Sequence, residues 1–183
     1  MSPRTRADMF VPTDQDPRNT EGLGRGEEKE NLVEYIRYQR QTLELKCAGL
    51  DAEQLARRSV PPSTMSLLGL VRHLADVERG WFRQILAGQD VPRLYRSEDV
   101  LDADFEGAVA DPAVVEDAWA RMREEQAFAD AAIEAETDLG RVLTYHSGKV
   151  TVRELLVHIV EEYARHNGHA DLLRECIDGR IGE

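Results

Sequence analysis

Ser66-Leu67-Leu68-Gly69-Leu70-Val71-Arg72-His73-Leu74-Ala75-Asp76-Val77-Glu78-Arg79-Gly80-Trp81-Phe82 is the stretch on which the fold turns. Leu67, Leu70, Leu74, Val77 and Trp81 recur at helical spacing, and Leu68, Val71, Phe82 and Ile85 widen the stripe. A helix with one broad apolar face is expected over about 66–87, and that face must be buried against other helices. Pro61-Pro62 breaks the chain before it, Ser63 or Thr64 is the expected cap, and Gly88 ends it.

The same period recurs on both sides. Upstream, Leu32, Tyr35, Ile36, Gln39, Thr42, Leu43 and Cys47 place a helix over about 27–48, with Gly49 as its stop and a short turn capped by Asp51 behind it. Downstream, Asp111-Pro112 opens a helix to about Glu136 that carries Val115, Ala118, Trp119, Met122, Gln126, Ala129 and Ile133. Thr151 with Glu154 forms a capping box for a last helix reaching about Cys176, with Gly179 after it. Residues 138–149 alternate weakly and read as a hairpin-like excursion that includes His146. The acidic, irregular stretch 89–110 is too long for an ordinary bundle turn, so it is a crossover or a lid, with Val91 to Tyr95 packing on the bundle. The expected fold is all-α: a four-helix bundle with crossover connections over residues 27–183. Residues 1–26, rich in Pro and Gly and without apolar period, are expected to form a disordered or surface-lying tail.

Composition narrows the function. The 183 residues hold 35 Asp and Glu against 23 Lys and Arg, a formal net charge of -12. Such a chain is repelled by phosphate backbones and acidic membrane surfaces, so neither nucleic acid nor membrane is the expected partner. No apolar run approaches a membrane span, and no secretory leader is visible. The two cysteines, Cys47 and Cys176, make no disulfide framework; they suit a cytoplasmic setting and are expected as buried, inert thiols.

The chemistry concentrates on the last helix. Its core stripe runs through Leu155 and Ile159, meets Glu162 and His166, and leaves by Ala170 and Leu173. Glu162 and His166 are one turn apart on one face. A carboxylate on such a stripe costs several kcal/mol, roughly, unless it is paired or bound to a cation. With His73 from the second helix the set is two nitrogens and one oxygen, the donor pattern of a metal site with an open position. Each residue also has a plainer reading: His73 as a boundary histidine, Glu162 paired with Arg165 or Arg153, and His166 serving the helix C-terminus. His158 and His169 lie near the same face and are candidates for catalytic proton handling or for holding a ligand in place.

The quoted 67–82 stretch, together with Glu161-Glu162-Tyr163-Ala164-Arg165-His166-Asn167-Gly168-His169-Ala170-Asp171-Leu172-Leu173-Arg174-Glu175, resembles the DinB-like superfamily, in particular its actinobacterial branch of proteins of unknown function. The likeness covers about 31–177. It implies a four-helix bundle with crossover connections, often dimeric. It also implies a metal held by one histidine of the second helix and two residues four apart on the fourth, here His73, Glu162 and His166. Glu162 at the first of that pair is similar to the metal-binding domain of mycothiol-dependent maleylpyruvate isomerase. The family's usual His-Arg-Gly-Gln run stands here as His166-Asn167-Gly168-His169.

These readings together lead to a divalent-metal protein using a low-molecular-weight thiol such as mycothiol in S-transfer to small electrophiles. Zn²⁺ is the favoured ion, with Ni²⁺, Fe²⁺ or Mn²⁺ also accepted by this donor set. A non-catalytic, metal-binding dimeric stress or interaction protein is the alternative. Tyr35, Tyr38, Trp119 and Phe128 are the expected source of a homodimer face.

Overall fold

The structure is a computed structural model that describes residues 16–19, 26–97, 100–145 and 148–182. Four long helices are present: α1 (Glu28–Cys47), α3 (Leu67–Glu78), α5 (Pro112–Ala135) and α6 (Val152–Asp178). Short α2 (Ala52–Ala56) and α4 (Ala103–Glu106) lie in the connections, and β1 (Val142–Tyr145) pairs antiparallel with β2 (Gly148–Thr151) ahead of α6. The hairpin expected over 138–149 is therefore real, while His146 lies outside the described residues.

Local chemistry explains the boundaries. Asp111 accepts from the Ala113 amide ahead of Pro112, and Thr151 and Glu154 complete the expected capping box. Gly179 closes α6 with φ of 80°, in the left-handed region that a side chain disfavours. At α3 the cap differs from expectation: Ser66 accepts from the Gly69 amide, whereas the Ser63 hydroxyl accepts from Met65. The last turns of that helix also differ, because Arg79–Leu86 continues it as π-helix. Such widened turns are uncommon and recur at functional sites.

α1 packs along α6, and α3 along α5 and α6, so the apolar faces meet in one core. Leu67, Leu68, Leu70, Val71 and Leu74 from α3 and Leu155, Leu156 and Ile159 from α6 are fully buried there. The crossover 87–111 returns over α3 and packs Leu94, Tyr95 and Phe105 on the core. Of the N-terminal stretch, residues 16–19 lie against α1: Arg18 is buried, reaches the Thr42 hydroxyl and sits over the Tyr38 ring.

The core is not purely apolar. Arg40 of α1 makes a two-pronged contact with Glu78 at 2.8 and 2.9 Å and reaches Asp130 of α5 at 2.6 Å. The Tyr163 hydroxyl of α6 donates to the same Glu78 at 2.9 Å and accepts from Gln126. A second carboxylate, Glu125, receives Arg79 and Arg83 at 2.7 and 2.6 Å. Burial first, and then Glu78, push the Tyr163 hydroxyl well above its ordinary range, so it stays a donor. One buried ionic cluster thus ties all four long helices.

Candidate metal centre

His73 stands mid-way along α3 and Glu162 and His166 stand one turn apart on α6, where the two helices face each other. One donor atom from each of the three lies within 4.8 Å of the others, the only such grouping among the described residues. The two imidazole rings meet edge to face, with centroids 4.7 Å apart. Glu162 Oε2 is 3.4 Å from His166 Nε2. Bonds of about 2.0–2.1 Å in tetrahedral geometry require donor separations of about 3.4 Å, so this pair already has the span of a chelate.

The placement corrects one part of the sequence reading. The fully buried stripe of α6 runs through Tyr163 and Asn167, and Glu162 and His166 border it with side chains 15% and 12% exposed. Glu162 is therefore at the rim of the core, neither fully buried nor open to solvent. Its Oε1 also lies 3.8 Å from Arg165, the plainer partner, while Arg153 pairs with Glu28 instead.

Each imidazole is engaged at its other nitrogen. His73 Nδ1 is 2.8 Å from Asp104 Oδ2, and its ring stacks on Phe105 at 5.5 Å. His166 Nδ1 is 3.3 Å from His169 Nδ1. With Nδ1 occupied, Nε2 is the nitrogen left to point inward. Burial, and then the neighbouring His73, hold His166 down to about 4, so at neutral pH it is an uncharged imidazole with a free lone pair. Two imidazoles and one carboxylate, at chelate spacing and with oriented rings, fit a divalent ion of the zinc class.

A family model described as mycothiol S-transferase matches residues 31–179. The chain belongs to the mycothiol S-transferase family. That family is DinB-like, in agreement with the helical bundle. No curated protein matches the chain. Among solved structures, that of a conserved protein from Enterococcus faecalis superposes with a TM-score of 0.57 at 16% identity, over 81% of this chain and 96% of that one, a likeness of fold alone.

In this mycothiol S-transferase family member, His158 and His169 flank the cluster on opposite sides. His158 Nε2 is 3.6 Å from Glu162 Oε1, and the Trp81 ring of the π-helical segment lies over it at 4.6 Å. Tyr145 of β1 continues the aromatic row at 5.6 Å from Trp81. His169 touches His166 only on the far side from Glu162. Asp104 is the site residue that the sequence pattern did not nominate. It lies in the irregular acidic stretch, and no periodicity connects it to His73, 31 positions away. The acidity of that stretch was the only signal.

One other expectation changes. Cys47 is buried and its thiol is pushed up to about 12 by that burial, but Cys176 is exposed. Of the aromatics nominated for a dimer face, Tyr38 and Phe128 carry Arg18 and Arg83 over their rings, and Tyr35 stands exposed. No helix among the described residues is long and apolar enough to cross a membrane.

Proposed function

We propose that this protein is a metal-dependent enzyme that transfers the sulfur of mycothiol to small electrophiles. The observation that carries the reading is the convergence of His73, Glu162 and His166 within 4.8 Å at the rim of the core. The matched family supports the thiol. A bound divalent ion supplies the pull that lowers the pKa of a coordinated thiol or water toward neutrality. His73, Glu162 and His166 hold it, and Zn²⁺ fits the donors best, with Ni²⁺, Fe²⁺ and Mn²⁺ as substitutes.

The chain's own residues do the rest. In this reading His158, with a third of its side chain exposed and Glu162 at 3.6 Å, takes the proton that the thiol gives up. His169 orients His166 through Nδ1. The Phe105 ring packs on His73 and the Trp81 ring on His158. The sulfur then forms its bond to an electrophilic carbon, and the electron pair of the bond that breaks leaves with the displaced group. The partners are the thiol and a small electrophile, not nucleic acid or membrane. A cytoplasmic setting and a homodimer belong to the same reading.

Metal analysis of the purified protein, followed by mycothiol-dependent conjugation of a model electrophile, tests it. Stoichiometric metal that His73→Ala removes, with conjugation abolished by Glu162→Ala, is the expected result. Metal without any thiol transfer would leave the non-catalytic metal-binding alternative.

A further inference from the structure

We propose that Asp104 is the positioning residue for His73, and that the crossover connection thereby sets the metal affinity of the site. The proposal rests on the reading of His73, Glu162 and His166 as a metal centre.

Asp104 is 1% exposed, and its Oδ2 lies 2.8 Å from His73 Nδ1. A carboxylate oxygen accepts, so the metal-binding form of the ring carries its proton on Nδ1 and its lone pair on Nε2. Without that acceptor the two tautomers exchange and the ring is free to turn. The negative charge also raises the basicity of Nε2 toward a cation, and losing such a partner typically weakens metal binding about 10–100-fold. The other oxygen of Asp104 accepts from the Phe105 amide at 3.1 Å, and Arg96 lies 4.0 Å from Oδ2. The buried charge is thus satisfied on both sides.

The position of Asp104 is itself held by α3. Gly69, Arg72, His73 and Asp76 stand three, four and seven residues apart, on the face that the crossover covers. Arg72 donates to the Asp104 carbonyl at 2.7 Å and to the Ala103 carbonyl at 3.0 Å, tying down the α4 backbone. Phe105 fills the space over Gly69, where a Cβ would stand 2.5 Å from its ring. Asp76 accepts from three successive amides, Leu94, Tyr95 and Arg96, at 2.6–3.1 Å. Four contacts from one helix face therefore lock the crossover over the helix that presents His73, and Asp104 is where that lock reaches the ligand.

The test compares Asp104→Ala and Asp104→Asn with the wild type, each checked for folding by circular dichroism and thermal midpoint. Zinc affinity is read by competition with a chromogenic chelator. Asp104→Ala is expected to lose about 10–100-fold. Asp104→Asn keeps more, because its amide oxygen still accepts from Nδ1–H. In the metal-free protein, ¹⁵N NMR of the histidine rings reads the tautomer directly: Nδ1–H for His73 in the wild type, and a mixture in Asp104→Ala. A folded Asp104→Ala that binds zinc within twofold of wild type, or keeps the Nδ1–H tautomer, overturns the proposal. A wild type that takes up no zinc overturns the metal reading itself, and this proposal with it.

Discussion

His166 shows how one side chain's surroundings set its chemistry. Its pKa of about 4 lies below the ordinary 6.5, through burial and the adjacent His73. Between those values the unfolded chain binds a proton that the metal-free folded chain refuses. The contribution of His166 to stability is therefore complete above about pH 6.5 and falls away as the pH drops toward 4. Urea denaturation of the metal-free protein at pH 7 and pH 5 should show this loss, and His166→Gln should lessen it. An unchanged pH slope in that variant would refute the assignment. The two thiols give a second residue-scale prediction. A thiol reagent at pH 8 should label Cys176 in the native protein and reach Cys47 only after unfolding, because the thiolate is the reacting form and Cys47 is held near 12. Sequence placed both cysteines in the interior because cysteine is usually buried. The exposed face of the last turn of α6, where Cys176 stands, is set by how that helix packs.

At the scale of elements, the face of α3 toward the crossover is the informative surface. Gly69 is used for close approach, not for backbone freedom: it makes room for the Phe105 ring. Gly69→Ala should push Phe105 and α4 outward, cost about 1–3 kcal/mol of stability in denaturant unfolding, and weaken zinc binding without touching a ligand. Equal affinity in that variant would mean that α4 can shift without moving His73. The capping box of α6 is simpler. Thr151→Ala removes the acceptor for the Glu154 amide and should cost about 1 kcal/mol by the same measurement. Capping and stop signals were legible at α2, α5 and α6 because they act over three or four residues. The π-helical end of α3 was not, because a widened turn leaves no mark in an apolar stripe that reads equally well as α-helix.

For the molecule as a whole, the ionic cluster around Glu78 is the main commitment. It joins Arg40, Asp130, Gln126 and Tyr163 from three other helices. Glu78→Ala leaves Arg40 with a single exposed partner and Tyr163 with only the weak Met122 sulfur as acceptor. A loss of about 3–5 kcal/mol in chemical denaturation is expected, typical of removing one member of a buried pair. A loss under 1 kcal/mol would mean that water replaces the carboxylate. Zinc should act in the opposite direction. An ion that binds only the folded chain at 100 times its dissociation constant adds about 2.7 kcal/mol, seen as a higher melting temperature that His73→Ala abolishes.

Sequence by itself determined the four helices, most of their ends, and the nomination of His73, Glu162 and His166, because helical period and i, i+4 spacing are local and survive without coordinates. Only the tertiary structure decided that His73 meets the α6 pair, that Glu162 and His166 border the core while Tyr163 and Asn167 fill it, and that Asp104 stands behind His73. Those facts depend on how two helices and a crossover are rotated against one another, and that rotation is fixed by side-chain packing across distant parts of the chain, for which spacing along one helix holds no information.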